Sequence, residues 1–404
     1  MSALVVLWGC SGDETHPRHS FEVATNDGVL TAITTGGPKY TSPVFSFREL
    51  LRLKQDESNP ESIIVNGGDY LMHKSGSFYV PDYADMRFMI FDSQGNYLRS
   101  FGQQGSGPGD FNYPYLVRTD GDRLVIYDGV NRRSSHHRPD GTLIDVFTPR
   151  QRSRYFMGLE PIEGRGQLLL TGVEERRGDE FWEAQRADLI ATDGDTLTSV
   201  VSPSVYRGAT YRFDLRGRTV SGMARPHFRG RSLVIFVAPN RLLVSTGVVP
   251  ELRWHDLSGL LTQVIRLDIP PEPVGEADVA MIYGRIDSTI SEAEGDQRLI
   301  REQYRKNLDI PDFKAFWSNV VVDDSGFIWL LKPLPEETPF DVEVNEWRVL
   351  SPQGEYLGDV ETPTAWGRFS RGRYLTYLTD PVSGAREAVV YEMNPAVPGL
   401  RYPD

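Results

Sequence analysis

Few side chains in this sequence are equipped for chemistry, and their spacing limits it further. One cysteine, Cys10, excludes an intrachain disulfide and any cysteine-built zinc or iron–sulfur centre. The seven histidines are scattered: His16 and His19 near the start, His136 and His137 adjacent, His73, His227 and His255 apart. Adjacent strand residues point to opposite faces, so His136 and His137 do not serve one metal ion. There is no G-x-S-x-G elbow, no H-E-x-x-H and no D-x-[DN]-x-[DN]-G loop, so the common hydrolase, zinc and calcium signatures are missing. The glycine-rich run 102–109 would cradle a phosphate only where it opens a helix; Phe111 and Pro114 lead into a strand instead.

The elements that must position such residues repeat along the chain. A turn followed by alternating β-formers occurs at 74–80, 119–125, 165–170, 239–244, 324–329 and 371–376. The tight positions Gly76, Gly121, Gly166, Asn240, Gly326 and Gly372 are spaced by 45, 45, 74, 86 and 46 residues. A two-residue hairpin needs positive φ there, which glycine and asparagine accept. A second turn follows the first five, at Gly95, Gly141, Gly194, Gly259 and Gly354. Two alternating strands lie between the turns and another follows, so each unit of about 45 residues is a four-stranded meander, the size of a propeller blade.

The spacing predicts an all-β chain: a six-bladed β-propeller of four-stranded antiparallel blades, with 1–19 as a leader and tether and 20–404 as one domain. The sixth unit lacks its own outer strand. Residues 21–53, including 28–33 and 47–53, are expected to supply it and close the ring, which removes free sheet edges. Two intervals carry insertions. Residues 276–309 show apolar spacing of three to five with a break at Gly295, which predicts a helical hairpin lying on one face of the disc or acting as a lid. Residues 206–229 are rich in arginine, a basic patch for an acidic partner in a chain whose arginines outnumber lysines 37 to 6.

One unit is specific enough to suggest a family. Gly76, the strand from Phe78 to Asp82, the apolar run 88–91 and the loop 101–111, Phe-Gly-Gln-Gly-rich and ending Gly-Pro-Gly-Asp-Phe, follow one another in order. This resembles the NHL-type repeat of bacterial six-bladed β-propeller proteins. The fifth unit matches it at 320–329, and the second places Ser134, Ser135, His136 and His137 where an apolar strand belongs. The resemblance implies the fold for about residues 45–393 and leaves the chemistry open.

The apolar run 3–9 before Cys10 resembles the tail of a bacterial lipoprotein signal peptide, with Leu7-Trp8-Gly9-Cys10 as its lipobox. That implies lipidation at Cys10 and a place in the bacterial cell envelope, with Ser11 favouring the outer membrane. The run is shorter than the usual h-region of roughly 7–15 residues and no Lys or Arg precedes it. A true start upstream of Met1 would explain both. Nothing else approaches 18 consecutive apolar residues.

Seven residues before each anchor stand Asp69, Pro114, Leu159, Leu233, Asn319 and Ala365, the expected channel-facing starts of the inner strands. Six-bladed lactonase-like enzymes resemble this architecture and hold calcium in a ring of carboxylates and amides. Only Asp69 and Asn319 are available here, whereas calcium takes roughly six to eight oxygens. No cofactor is therefore predicted. An NHL-like lyase would need converging histidines, for which His227 is the candidate. Trp317 and Trp366, near the starts of inner strands, are candidates for ligand contact at the channel mouth, and Arg225 of the arginine-rich segment is a further ligand-contact candidate. The formal charge of −13 has the wrong sign for tracking nucleic acid. Two functions follow. One is a monomeric, non-catalytic, envelope-anchored propeller that binds a protein, peptide or glycan through its loop face. The other is a metal-dependent lactonase-like hydrolase, or an NHL-like lyase, using Asp69, Asn319 and His227; the fold hosts both kinds.

Overall fold

Apolar runs too short for helices, separated by glycine turns, fold here as antiparallel meanders. The computed structural model describes residues 5–6, 19–148, 156–162, 166–191, 195–335, 344–379 and 386–402. Among these, six sheets succeed one another along the chain. The first comprises Leu71–Met72, Phe78–Asp82, Arg87–Phe91 and Tyr97–Phe101, and the second Pro114–Asp120, Arg123–Asp128, Arg133–His137 and Leu143–Phe147. The third begins Phe156–Ile162, Gly166–Arg177, Glu180–Ile190 and Thr196–Val201, and the fourth begins Leu233–Val237, Arg241–Ser245, Glu251–Asp256 and Leu261–Asp268. The fifth is Asn319–Val322, Ile328–Leu331, Glu346–Leu350 and Tyr356–Glu361. The sixth is Gly367–Ser370, Arg373–Thr379, Arg386–Pro395 and, from the start of the chain, Phe45–Arg52.

The middle strands are buried on both sides, which is why they read as continuous apolar runs rather than strict alternation. Tyr79, Phe88 and Ile90 of the first sheet pack on Leu124 and Ile126 of the second. Tyr127 meets Leu169 and Ile190 of the third, and Leu168 and Leu189 meet Val234 and Leu242 of the fourth. Leu243 and Trp254 meet Ile328 and Leu330 of the fifth, Trp329 and Trp347 meet Phe369 and Tyr374 of the sixth, and Leu375 and Val390 return to Phe78 and Met89 of the first.

The glycine turns behave as their type requires, with positive φ at Gly76, Gly121, Gly326 and Gly372. Asn240 does not follow: it is absent from the positive-φ residues, and the Ala238–Pro239 peptide before it is cis. The second-turn glycine Gly194 lies outside the described residues. Every sheet also carries a register shift between its third and fourth strands, at Ile90/Phe91, His136/His137, Leu189/Ile190, Trp254/His255, Val349/Leu350 and Val390/Tyr391. The polar run of the second sheet forms its strand because its groups are paired inside it, with Ser134 donating to Gln167 and His137 bonded to Ser135 and the Gly141 carbonyl.

The N-terminal region does more than expected. Only Phe45–Arg52 serves as the missing fourth strand, paired antiparallel with Arg386–Pro395. The segment 28–33 does not join it. As part of Val29–Thr35 it lies parallel against Leu261–Asp268 of the fourth sheet and forms a hairpin with Ser20–Asn26. That outer edge would otherwise expose unpaired backbone groups. Val5–Val6 pairs with Val23 and Glu22. Between hairpin and strand, the Lys39 and Tyr40 amides donate to Tyr356 and Leu357 of the fifth sheet. Leu7-Trp8-Gly9-Cys10 lies outside the described residues.

The insertions are both ordered. Helices α1 (Glu276–Ser291) and α2 (Gly295–Lys306) form the expected hairpin, and Ile282 and Ile286 pack on Phe228. The arginine-rich segment is a strand hairpin, Val205–Leu215 and Arg218–Ala224, paired to the far half of Glu180–Ile190 and touched by α2. Among the described residues no helix is long and apolar enough to cross a membrane.

Candidate functional site

The connections differ in what they expose. Those linking a fourth strand to the next first strand, or a second to a third, carry exposed Val65, Tyr113, Val130, Val248, Val249, Phe313, Val344 and Trp366. Among the described first-to-second and third-to-fourth turns, Leu260 is the one exposed large apolar residue. Those turns are built for closure. Asp92, Asp256 and Ser351 each accept the amides two and four residues on, folding the chain around a glycine.

The same logic explains a suggestive pair. The Ser75 hydroxyl lies 2.9 Å from His73 Nδ1, a nucleophile-to-base distance, and burial lowers the pKa of His73. However, Nδ1 also accepts the Ser75 amide, as Asp323 accepts the Ser325 amide in the equivalent turn of the fifth sheet. His73 is a turn-closing acceptor. The loop 102–109 is likewise self-contained. Gly107 N–H donates to Asp110, Phe111 is buried against Phe88, and the Arg133 guanidinium binds the carbonyls of Ser106, Gly107 and Asp110. It enters a strand, as expected.

Buried aspartates tie the two kinds of exposed connection together. Asp82 accepts the amides of Asn66 and Ala84, and Asp128 those of Asn112, Tyr113, Val130 and Asn131. In both sheets the reach back is 16 residues. The repeated aspartate is therefore a positioning group, holding each incoming strand against the neighbouring turn.

Around the sixth and first sheets this produces a continuous rim. Trp366, 64% exposed, has its carbonyl held by the hydroxyls of Thr364 and Thr376. Thr376 is bonded through its backbone to the Tyr70 hydroxyl, next to exposed Asp69. The Tyr377 hydroxyl donates 2.8 Å to the Gly68 carbonyl. A Cβ on Gly68 would lie 2.1 Å from the Tyr83 hydroxyl, so only glycine lets Tyr83 come this close. Tyr83 in turn stacks on Tyr113 at 5.1 Å. Arg386 completes the rim, its guanidinium 4.6 Å from the Tyr377 ring and bonded to the Gly67 carbonyl. Burial raises the phenols of Tyr374 and Tyr377, and the Asp69 charge adds to it.

The expected site residues sit on different elements. Asp69 enters the first sheet, and Asn319 starts the fifth, opposite Leu331. His227 is buried beside Phe228, with its amide donating to the Asp309 carbonyl. Among the described residues no three His, Cys, Asp or Glu side chains gather into a metal-sized group. Trp317 does not line an opening: it is 1% exposed, and its indole donates to Ser245 inside the core. Trp366 is the tryptophan that faces outward. Arg225 is exposed, but much of the arginine patch is already neutralised, with Arg207 on Glu174 and Glu183, Arg216 on Asp296 and Arg229 on Glu183. The sequence reading missed the tyrosines of the rim; Asp82-Tyr83 in a matched repeat was the available signal.

No family model matches the chain, and no curated protein matches it. Solved structures do. A protein from Bacteroides fragilis named as exported is 9% identical over 91% of this chain and 100% of its own, with a TM-score of 0.52. A member of the DUF4221 family from Bacteroides vulgatus is 11% identical over 87% of this chain and 99% of its own, with a TM-score of 0.45. Virginiamycin B lyase from Staphylococcus aureus is 9% identical over 87% and 99%, with a TM-score of 0.36. At such identities the likeness is one of fold alone, and with the sheet order it makes this chain an all-β protein of the β-propeller kind.

Proposed function

We propose that this chain is a six-bladed, NHL-like β-propeller, anchored to the cell envelope by lipid on Cys10, that binds a macromolecule without catalysis through one face. Six successive sheets, each packed on the next and the last on the first, support the blade count and the closure by Phe45–Arg52. In such a ring, all fourth-to-first and second-to-third connections emerge on the same side. The observation that carries the reading is an asymmetry among the described residues: eight exposed large apolar residues fall on those connections and one, Leu260, on the opposite turns, as expected of a face that meets a partner. Envelope placement rests on the lipobox-like segment and is in keeping with the exported character in the name of the B. fragilis protein.

Photo-crosslinking in whole cells tests the face. With benzoylphenylalanine replacing Trp366, adducts are expected; with the same residue replacing Leu260 on the opposite turns, none are. Equal yields from both positions, or none from 366, overturn the reading. Anchoring is tested by Cys10→Ser, which is expected to release the protein from the membrane fraction; unchanged membrane association excludes the lipid anchor.

A further inference from the structure

The rim between the sixth and first sheets combines two kinds of group that meet in recognition of cations. Trp366 is 64% exposed with its carbonyl held by Thr376, and the Thr376 backbone is bonded to the hydroxyl of Tyr70, the chain neighbour of exposed Asp69. Aromatic faces attract cations, and a carboxylate beside them adds directional charge. The molecule already displays this chemistry at the same place, where the Arg386 guanidinium lies over Tyr377 and reaches Gly67. The chain as a whole carries −13, which draws positively charged partners over distance. The connections of the first and second sheets on the same side also expose Val65 and Val130. Valines suit a protein surface better than the hydroxyl-rich faces of a sugar.

We propose that this rim is the anchor point for a lysine or arginine side chain of a protein partner, with flanking aliphatic residues resting on the valines. The inference rests on the binding role above and names the chemistry of its partner. Rigidity favours it. The backbone at Gly68 is held by the Tyr377 hydroxyl, and the carbonyl of Trp366 by two threonines, so little ordering is left to accompany binding.

The probe is a set of fluorescein-labelled peptides, Val-Leu-Gly-X-Gly-Leu-Val amide with X as Arg, Lys, Gln or Glu, titrated into the full chain and read by anisotropy. The Arg and Lys peptides are expected to bind, with the Gln peptide about tenfold weaker and the Glu peptide weaker still. Asp69→Asn and Trp366→Ala are each expected to weaken the Arg peptide about fivefold or more, while Leu260→Ala leaves it unchanged. Four peptides binding alike, or none binding, overturns the proposal on the unaltered protein, whether or not a variant folds. Displacement of the Arg peptide by chitohexaose assigns the rim to glycans and also overturns it. Should the crosslinks at 366 persist while the peptide series is flat, the binding face stands and the cation anchor falls; should they fail, the face itself is lost.

Discussion

Asp323 shows how much one carboxylate can organise. One oxygen accepts the amides of Ser325 and Phe327, and the other accepts the Trp329 indole and the Tyr402 hydroxyl at 2.9 and 2.7 Å. Burial raises its pKa despite these donors. Asp323→Ala strands four donors, so a loss of about 2–4 kcal/mol in urea unfolding is expected. His19 acts at the other end of the chain, with Nε2 3.1 Å from Glu355 and Nδ1 on the Gly37 carbonyl. Burial opposes its charge, but the Glu355 and Gly37 bonds outweigh burial and raise the pKa. A raised histidine pKa stabilises fully below the unfolded value near 6.5 and loses that contribution as pH rises through the folded value. Hydrogen exchange in the hairpin of Ser20–Asn26 and Val29–Thr35 is therefore expected to quicken from pH 6 to 8 more than base catalysis predicts. In His19→Gln that excess is expected to vanish.

At the scale of elements, the repeat and its departures obey the same rule: an edge is covered by whatever segment reaches it. The register shift at Val390/Tyr391 matches that of the five other sheets, and in each the extra residue lies on the fourth strand; in the sixth sheet it is Leu50 of residues 45–52, so the bulge does not need a turn joining it to the third strand. The helical hairpin is attached differently, through a small cluster in which Ile282 and Ile286 meet Phe228. Ile286→Asp buries a charge there. It is expected to open α1 and α2 to limited proteolysis while the far-ultraviolet β signal stays. Loss of that signal would show that the hairpin holds the sheets themselves. Glycine spacing made most turns legible, because positive φ leaves a compositional mark. The place of residues 28–33 was not legible: an alternating strand fits the edge of any sheet, and only the fold showed that the fourth sheet lay in reach.

For the whole molecule, the proposed non-catalytic binding role carries a consequence for stability. Melting of the full chain is expected at one temperature in EDTA, calcium or zinc; a shift of several degrees would mark a bound ion and reopen the hydrolase reading. Asp69 and Asn319, expected as channel-facing residues of different blades, do stand at the entries to different sheets, and the Asp69 charge acts on Tyr374 and Tyr377 of the sixth. The sequence by itself determined the meander, its period, the helical insertion and the acidic charge, because turn chemistry, alternation and composition are local properties. Tertiary structure alone decided that Trp366 faces outward while Trp317 is core, that much of the arginine patch is neutralised by its own carboxylates, and that Trp366, Asp69, Tyr83 and Tyr113 form one rim. Those facts depend on which strands become neighbours across hundreds of residues, and no local pattern records that.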